Sequence, residues 1–108
     1  MSNAQDWRDI ISEIKDWVVS ERLEEHDRPT PLAAMDAIAY AEAAVHHPPP
    51  SVVDPSGDGC IALEWHGEEG YMYLMLEFDG SGHAIRTRCG GGQMIDKTRV
   101  QIREKEQA

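Results

Sequence analysis

Hydrophobic and polar positions alternate most clearly between residues 58 and 89, where two glycine-rich segments separate three runs of β-prone residues. The segments are residues 67–70 and residues 79–82. Runs that alternate with period two and are joined by short glycine-containing turns are typical of an antiparallel β-meander. We therefore predict a β-meander over residues 58–89.

The two turns also predict which side chains share a face. If residues 67–70 form the first turn, Leu63 lies opposite Leu74, and a second turn with Gly80 and Ser81 at its tip places Leu74 opposite Thr87. The face predicted to be buried consists of Ile61, Leu63, Trp65, Met72, Leu74, Leu76, Phe78 and Ile85. The opposite face consists of Cys60, Ala62, Glu64, Tyr71, Tyr73, Met75, Glu77, Arg86 and Arg88. A slip of one residue would exchange the two faces of a strand.

Apolar residues recur at helical spacing in two segments before the meander. Residues 6–25 are predicted to form an amphipathic helix with Asp6 as its N-cap, and its apolar stripe includes Trp7, Ile10, Ile11, Ile14, Trp17 and Val18. A second helix is predicted over residues 30–46, with Thr30 as N-cap and Pro31 as the first helical residue. It is rich in alanine, and the side chains available for burial are Leu32, Met35, Ile38, Ala39, Ala41 and Val45.

The remaining segments connect or follow these elements. Residues 47–57 include three consecutive prolines, so we predict a proline-rich connector there. Residues 90–108 are predicted to be a glycine-rich loop followed by an edge strand or tail, because Thr98, Val100 and Ile102 alternate with polar residues. The predicted fold is α+β, a single domain over residues 1–108. Two N-terminal helices pack on one face of a three- or four-stranded antiparallel β-meander.

Composition and charge narrow the class of protein. A hydrophobic content of 41% in 108 residues fits one globular domain. No segment approaches the roughly 20 apolar residues of a membrane span, so we expect a cytoplasmic protein. The net charge is −10, and residues 1–58 hold 12 acidic and four basic residues. An acidic chain is not typical of nucleic-acid binders, which present basic patches. We expect neither a nucleic-acid nor a membrane partner.

The sequence has no motif for catalysis, a cofactor or a metal. The two cysteines lack Cys-x-x-Cys spacing and fall on non-adjacent strands, so we interpret both as free thiols. We therefore predict a protein that is not an enzyme, with no catalytic, cofactor-binding or metal-ligating residues. An alternative stays open, a small-ligand or metal-binding protein that uses His46, His47, Cys60 or His66.

One predicted surface has the composition of a protein interface. The meander face opposite the helices would bring together Tyr71, Tyr73, Met75, Arg86, Arg88 and Glu64. Aromatic residues, methionine and arginine are enriched at interface cores. We predict that this face binds a protein partner or a second copy of the chain in a homodimer. In the alternative interpretation, the arginine stems and Glu64 cover the tyrosine rings and leave no sizeable apolar patch.

One stretch of the sequence resembles a family signature. Residues 52–55 read Val-Val-Asp-Pro, and residues 58–65 read Asp-Gly-Cys-Ile-Ala-Leu-Glu-Trp. This pattern resembles that of small uncharacterised bacterial and phage-associated proteins, in which a helical half and a proline-rich connector precede a β-meander. The similarity covers residues 28–88. It implies the fold more than a function, because the family has no established activity. Some members look like one half of a two-gene unit, which implies an accessory, antitoxin-like or inhibitor-like role.

Overall fold

A computed structural model describes residues 3–102 and has an α+β fold. The elements in chain order are α1 Asn3–Val19, a 3₁₀ turn Glu25–Asp27, α2 Pro31–Ala43, β1 Val52–Gly57, β2 Cys60–His66, β3 Met72–Phe78, β4 His83–Gly90 and β5 Gln93–Gln101. The strands form one antiparallel sheet in the order β1-β2-β3-β4-β5. The predicted class, two helices followed by an antiparallel β-meander, is confirmed, but the sheet has five strands rather than three or four.

The additional strand lies where the sequence predicted only a connector. Within residues 47–57, β1 pairs with β2, so that Val53 lies opposite Leu63 and Pro55 opposite Ile61. Proline is poorly suited to a central strand because it has no N–H for the ladder, but an edge strand tolerates it. The pairing is irregular directly after Pro55. The last strand predicted from the alternation after residue 93 is present as β5. Residues 103–108 of the predicted tail lie outside the described residues.

Helix α1 begins and ends earlier than predicted. It includes residues before Asp6, so Asp6 lies in the first turn, where a carboxylate still favours the positive end of the helix dipole, and is not the N-cap. The helix ends at Val19 rather than at residue 25. Beyond it, the Ser20 hydroxyl accepts the Arg22 N–H at 3.2 Å, and Arg28 Nε donates to the Ser20 carbonyl at 2.7 Å. These local bonds replace the helical pattern at the terminus.

Helix α2 confirms the predicted cap but turns a different side toward the sheet. The Thr30 hydroxyl accepts the Ala33 N–H at 3.1 Å. The buried residues of α2 are Ala33, Ala34, Asp36, Ala37 and Ala41. Leu32 and Met35, which we expected to be available for burial, are each 50% exposed. The helix lies close to the β3–β4 turn, since a Cβ on Gly80 would stand 2.9 Å from the Leu32 Cβ. Small side chains permit this approach, and Leu32 and Met35 are directed to solvent.

The core lies between the helices and one face of the sheet. Its fully buried large side chains include Trp7, Ile14, Ile61, Leu63 and Phe78. The Tyr40 ring lies 6.1 Å from that of Trp7 and 6.5 Å from that of Trp65, measured between centroids. Both indoles donate to the segment after α2, Trp7 to the His47 carbonyl at 2.9 Å and Trp65 to the Pro48 carbonyl at 3.0 Å. The segment that leads into β1 is therefore fixed by the core aromatics.

The pairing registers differ from the predicted ones in two ways. Between β2 and β3, Leu63 lies opposite Leu76 rather than Leu74, a shift of two residues that keeps the predicted faces. Between β3 and β4, Leu74 lies opposite Arg88 rather than Thr87. This shift of one residue exchanges the two faces of β4. Ile85, predicted to be buried with the core, therefore lies on the opposite face.

Candidate functional site

One face of the sheet packs against the helices, and its alternate residues form a second face that we call the open face. On the helix side, Ile61, Leu63 and Leu76 belong to the core together with residues of α1 and α2. The strand registers then assign to the open face Ala62, Glu64, Met75, Glu77, Ile85 and Thr87. Tyr73 precedes Met75 by two residues in β3, beside the register shift at Trp65 and His66. An antiparallel sheet with one layer of helices often leaves its second face to solvent or to a partner.

Four of the predicted interface residues lie together at this face or its end. Glu64 lies directly opposite Met75 in the β2–β3 pair. Tyr73 is 47% exposed, and Tyr71, which precedes β3, is 57% exposed. Tyr71 lies against the β4–β5 turn, since a Cβ on Gly92 would stand 3.5 Å from its ring. The structure therefore pairs Glu64 with Met75 and places Tyr71 and Tyr73 around one cleft at the end of β3. The role of these four residues in binding stays a prediction.

The other two predicted interface residues lie on the helix side of the sheet and not on the open face. Arg86 lies opposite Leu76 and Arg88 lies opposite Leu74, so both extend from the helix side of the sheet. Arg88 donates from Nε to Asp96 Oδ2 at 2.8 Å and also forms an ion pair with this carboxylate. These bonds raise the pKa of Arg88, and the same bonds hold the pKa of Asp96 below its usual value. The predicted face that would have combined the tyrosines with Arg86 and Arg88 is therefore not formed.

The length of the turn between β3 and β4 explains why Arg86 and Arg88 lie on the helix side. Phe78 pairs with Ala84 rather than with His83, so the turn is one residue longer than predicted. Asp79 Oδ1 accepts the Ser81 N–H at 2.9 Å, and the buried Asp36 carboxylate of α2 accepts the Gly82 N–H at 2.8 Å. The bonds from Ser81 lower the pKa of Asp79. Two carboxylates thus set the length of the turn, and with it the faces of β4.

The corrected register makes the open face more apolar than predicted. Ile85 lies opposite Glu77, and Thr87 lies opposite Met75. Ile85 and Met75 are half-buried, while Thr87 is only 7% exposed. The Thr87 hydroxyl has no hydrogen-bond partner among the described residues. Met75, Ile85 and Thr87 therefore form a largely apolar centre of the open face.

A histidine and a glutamate form a polar rim that sequence reasoning did not assign. His66 Nε2 lies 3.1 Å from Glu64 Oε1, and its Nδ1 lies 3.2 Å from the Gly70 carbonyl oxygen. The backbone N–H of His66 also donates to the Ser51 hydroxyl at 3.1 Å. The signal in the sequence was the Glu-x-His spacing, which places both residues on one face of a strand. The rim fixes the end of β2 where Tyr71 and Tyr73 are exposed.

Two clefts lie near the tyrosines, and both are small. One of about 250 Å³ is lined by Tyr40, His47, Pro48, Trp65, Tyr73 and Leu74. A second of about 210 Å³ lies between the β2–β3 and β4–β5 turns and includes Tyr71 and Cys89. Small-molecule sites typically enclose roughly 300–1,000 Å³ with converging polar groups. Burial raises the pKa of the Tyr40 phenol above its usual value.

The residues considered for a ligand or metal site do not meet. His46 and His47 follow α2, while Cys60 begins β2 and His66 ends it. Within residues 3–102, the group of three candidate ligands close enough to share an ion is Glu24, His26 and Asp27, which includes none of them. That group lies on or beside the 3₁₀ turn Glu25–Asp27, and His26 and Glu24 are exposed to solvent.

Both cysteines are free thiols, as predicted. Cys60 begins β2, and Cys89 lies in β4, which is not adjacent to β2. Burial, together with the negative charges of Glu77, Asp79 and Asp58, raises the pKa of the Cys60 thiol. A protonated thiol is a weak nucleophile, which does not suit a catalytic cysteine.

Comparison with known proteins found no matching family model, no matching curated protein and no matching solved structure. Neither α1 nor α2 has the length and apolar content that a membrane-crossing helix needs.

Proposed function

We propose that the chain is a non-enzymatic protein-binding module and that the open face makes the contact. The supporting observation is the sheet face that the helices do not cover, where Met75 and Ile85 are half-buried and Tyr73, two residues before Met75 in β3, is 47% exposed. Aromatic residues and methionine are enriched at interface cores, and a sheet face that meets only water is typically more polar. The exchange of Arg86 and Arg88 for Ile85 and Thr87 makes the centre of the open face less charged, and it also removes two arginines, a residue type that is enriched at interface cores.

The proposed role is regulatory, by binding a protein partner in an antitoxin-like or inhibitor-like manner. The resemblance of residues 28–88 to proteins encoded in two-gene units supports this role. The net charge of −10 weighs against a nucleic-acid partner. Two free cysteines fit a reducing compartment, which supports a cytoplasmic protein. A second copy could occupy the same face through a two-fold axis near Tyr73.

The test introduces charge into the centre of the open face. The variant Tyr73→Glu with Met75→Glu is compared with Leu32→Glu with Met35→Glu, a matched control whose residues are each 50% exposed on α2. Circular dichroism and urea unfolding confirm that both variants fold. Light scattering then gives the molar mass. If the native chain is a dimer, we expect the open-face variant to be a monomer and the control to stay a dimer.

If the native chain is a monomer, its partner is isolated from the native cell, identified and purified for binding measurements. We expect the open-face variant to bind this partner at least tenfold more weakly, because two buried carboxylates without partners would remain in the interface. The control should bind like the native chain. Equal affinity of the open-face variant and the native chain, or an unchanged dimer, would disprove the role of the open face.

A further inference from the structure

The two edges of the sheet differ in whether they can accept another strand. At one edge, β1 contains Pro55, has an irregular register beside it and lies in contact with the 3₁₀ turn Glu25–Asp27. At the other edge, β5 runs for nine residues and, among residues 3–102, is paired only with β4. Its register with β4 is regular from Asp96 to Gln101. An edge strand presents unpaired N–H and C=O groups, so β5 is the edge suited to strand addition.

This edge is also the basic end of an acidic molecule. Residues 1–82 hold 17 acidic and four basic residues, a net charge of −13. Residues 83–102 hold four basic residues and one acidic residue, a net charge of +3. Arg88 is paired with Asp96 on the helix side. Lys97 and Arg99 are exposed and, being two residues apart, share the open side of β5.

A second copy of the chain is a poor occupant of this edge. An antiparallel pair of β5 strands centred on Lys97 would place two lysines opposite each other, and one centred on Thr98 would place Lys97 opposite Arg99. Like charges directly opposite each other destabilise a strand pair. Charge complementarity instead favours a strand with carboxylates at the positions that face Lys97 and Arg99.

We propose that the outer edge of β5 binds an extended acidic segment of a partner protein as a sixth strand, with carboxylates at alternate positions facing Lys97 and Arg99. Backbone hydrogen bonds to β5 supply the affinity, and the alternating charges select the register. The contact uses a different surface from the centre of the open face and does not depend on it.

The probe is a fluorescent peptide of about nine residues, the length of β5, in which glutamate alternates with threonine. A control peptide of the same composition has glutamates in adjacent pairs, which point to both faces of a strand. By fluorescence anisotropy we expect the alternating peptide to bind about fivefold more tightly, and its affinity to fall with added salt. Hydrogen exchange should show protection of β5 amides when this peptide binds.

Charge reversal on β5 tests the assigned residues. Lys97→Glu with Arg99→Glu should weaken binding of the glutamate peptide at least tenfold and should create binding of a peptide in which lysine alternates with threonine. Lys15→Glu with Arg22→Glu makes the same change of charge at exposed positions of α1 and the segment after it. This control should bind the lysine peptide no better than the native chain.

N-methylation separates strand addition from charge attraction alone. Methyl groups on alternate residues along one side of the peptide backbone should abolish binding, while methyl groups on the other side should not, because only one side pairs with β5. Equal binding of both methylated peptides would refute strand addition.

Absence of binding of the unmethylated peptide would show that the charges only protect the edge from association. A native dimer with protected β5 amides would assign the edge to a second copy. The variant Tyr73→Glu with Met75→Glu should still bind the peptide, which distinguishes failure at this edge from failure at the open face.

Discussion

Asp36 is the side chain that links the helical layer to the register of the sheet. It is fully buried in an alanine-rich helix, and its Oδ2 accepts the Gly82 N–H at 2.8 Å. A buried carboxylate is stable only with hydrogen-bond partners, so its position fixes the turn that supplies them. Because that turn decides which residues of β4 face the helices, Asp36 acts on the composition of the open face from the opposite side of the sheet.

Replacing Asp36 should therefore cost more than an ordinary helix substitution. We expect Asp36→Ala to lower the free energy of unfolding by about 1–3 kcal/mol, because the Gly82 N–H loses its acceptor in a buried place. Asp36→Asn keeps a carbonyl oxygen and should cost less. Urea unfolding of the three proteins measures both differences. A loss below about 0.5 kcal/mol for Asp36→Ala, the size of a surface effect, would show that the bond does not stabilise the turn.

The sequence could not assign this role to Asp36. An acidic residue in an amphipathic helix is normally expected on the solvent side, and in α2 the larger apolar residues Leu32 and Met35 were the natural candidates for burial. The structure inverts this assignment, since both are half-exposed. The inversion follows from contact with a distant turn, which helical periodicity alone does not encode.

Among the elements, α2 is held by two turns of the sheet at its N-terminal end. The Thr30 N–H donates to the Gly59 carbonyl in the β1–β2 turn at 2.9 Å. In the β3–β4 turn, a Cβ on Gly80 would stand 2.9 Å from the Leu32 Cβ and 3.1 Å from the Ala33 nitrogen. The backbone of the helix therefore rests almost directly on the backbone of this turn.

This close approach predicts a difference between two glycines with similar backbone angles. Gly80 has a φ of +89° and Gly70 a φ of +83°, but a Cβ on Gly70 would meet nothing within 4 Å. Gly70→Ala should cost about 1–2 kcal/mol from its backbone conformation alone. Gly80→Ala should cost at least about 1 kcal/mol more, because α2 must also move away. Chemical unfolding of both variants measures the difference, and equal losses would show that the helix yields freely.

The alternation of apolar residues predicted the facing of β2 and β3 correctly, but the facing of β4 depended on the hydrogen bonds of a turn. Alternation was sufficient for the facing of β2 and β3, since Ile61, Leu63 and Phe78 are all buried. The register between β3 and β4 depended on one residue of turn length, set by the hydrogen bonds that the backbone N–H groups of Ser81 and Gly82 donate to Asp79 and Asp36. That single residue exchanged the faces of Arg86, Arg88 and Ile85.

Across the whole molecule, charge is divided along the chain. The helices and β1–β3 fall within residues 1–82, with a net charge of −13, and the β4–β5 hairpin falls within residues 83–102, with a net charge of +3. Like charges that crowd one part of a folded chain repel each other and reduce its stability. The basic hairpin reduces this repulsion because it is part of the same sheet.

This division predicts opposite effects of two neutralising changes at low salt. Glu68→Gln with Glu69→Gln removes two exposed negative charges from the acidic part and should raise the free energy of unfolding by a few tenths of a kcal/mol. Lys97→Gln removes an exposed positive charge from the hairpin and should lower it by a similar amount. Both differences should nearly vanish at about 1 M salt, where the screening length falls to about 3 Å. Urea unfolding at low and high salt measures them. Differences that persist at high salt would assign the effects to local contacts, and stabilisation by Lys97→Gln would show that the hairpin does not offset the acidic part.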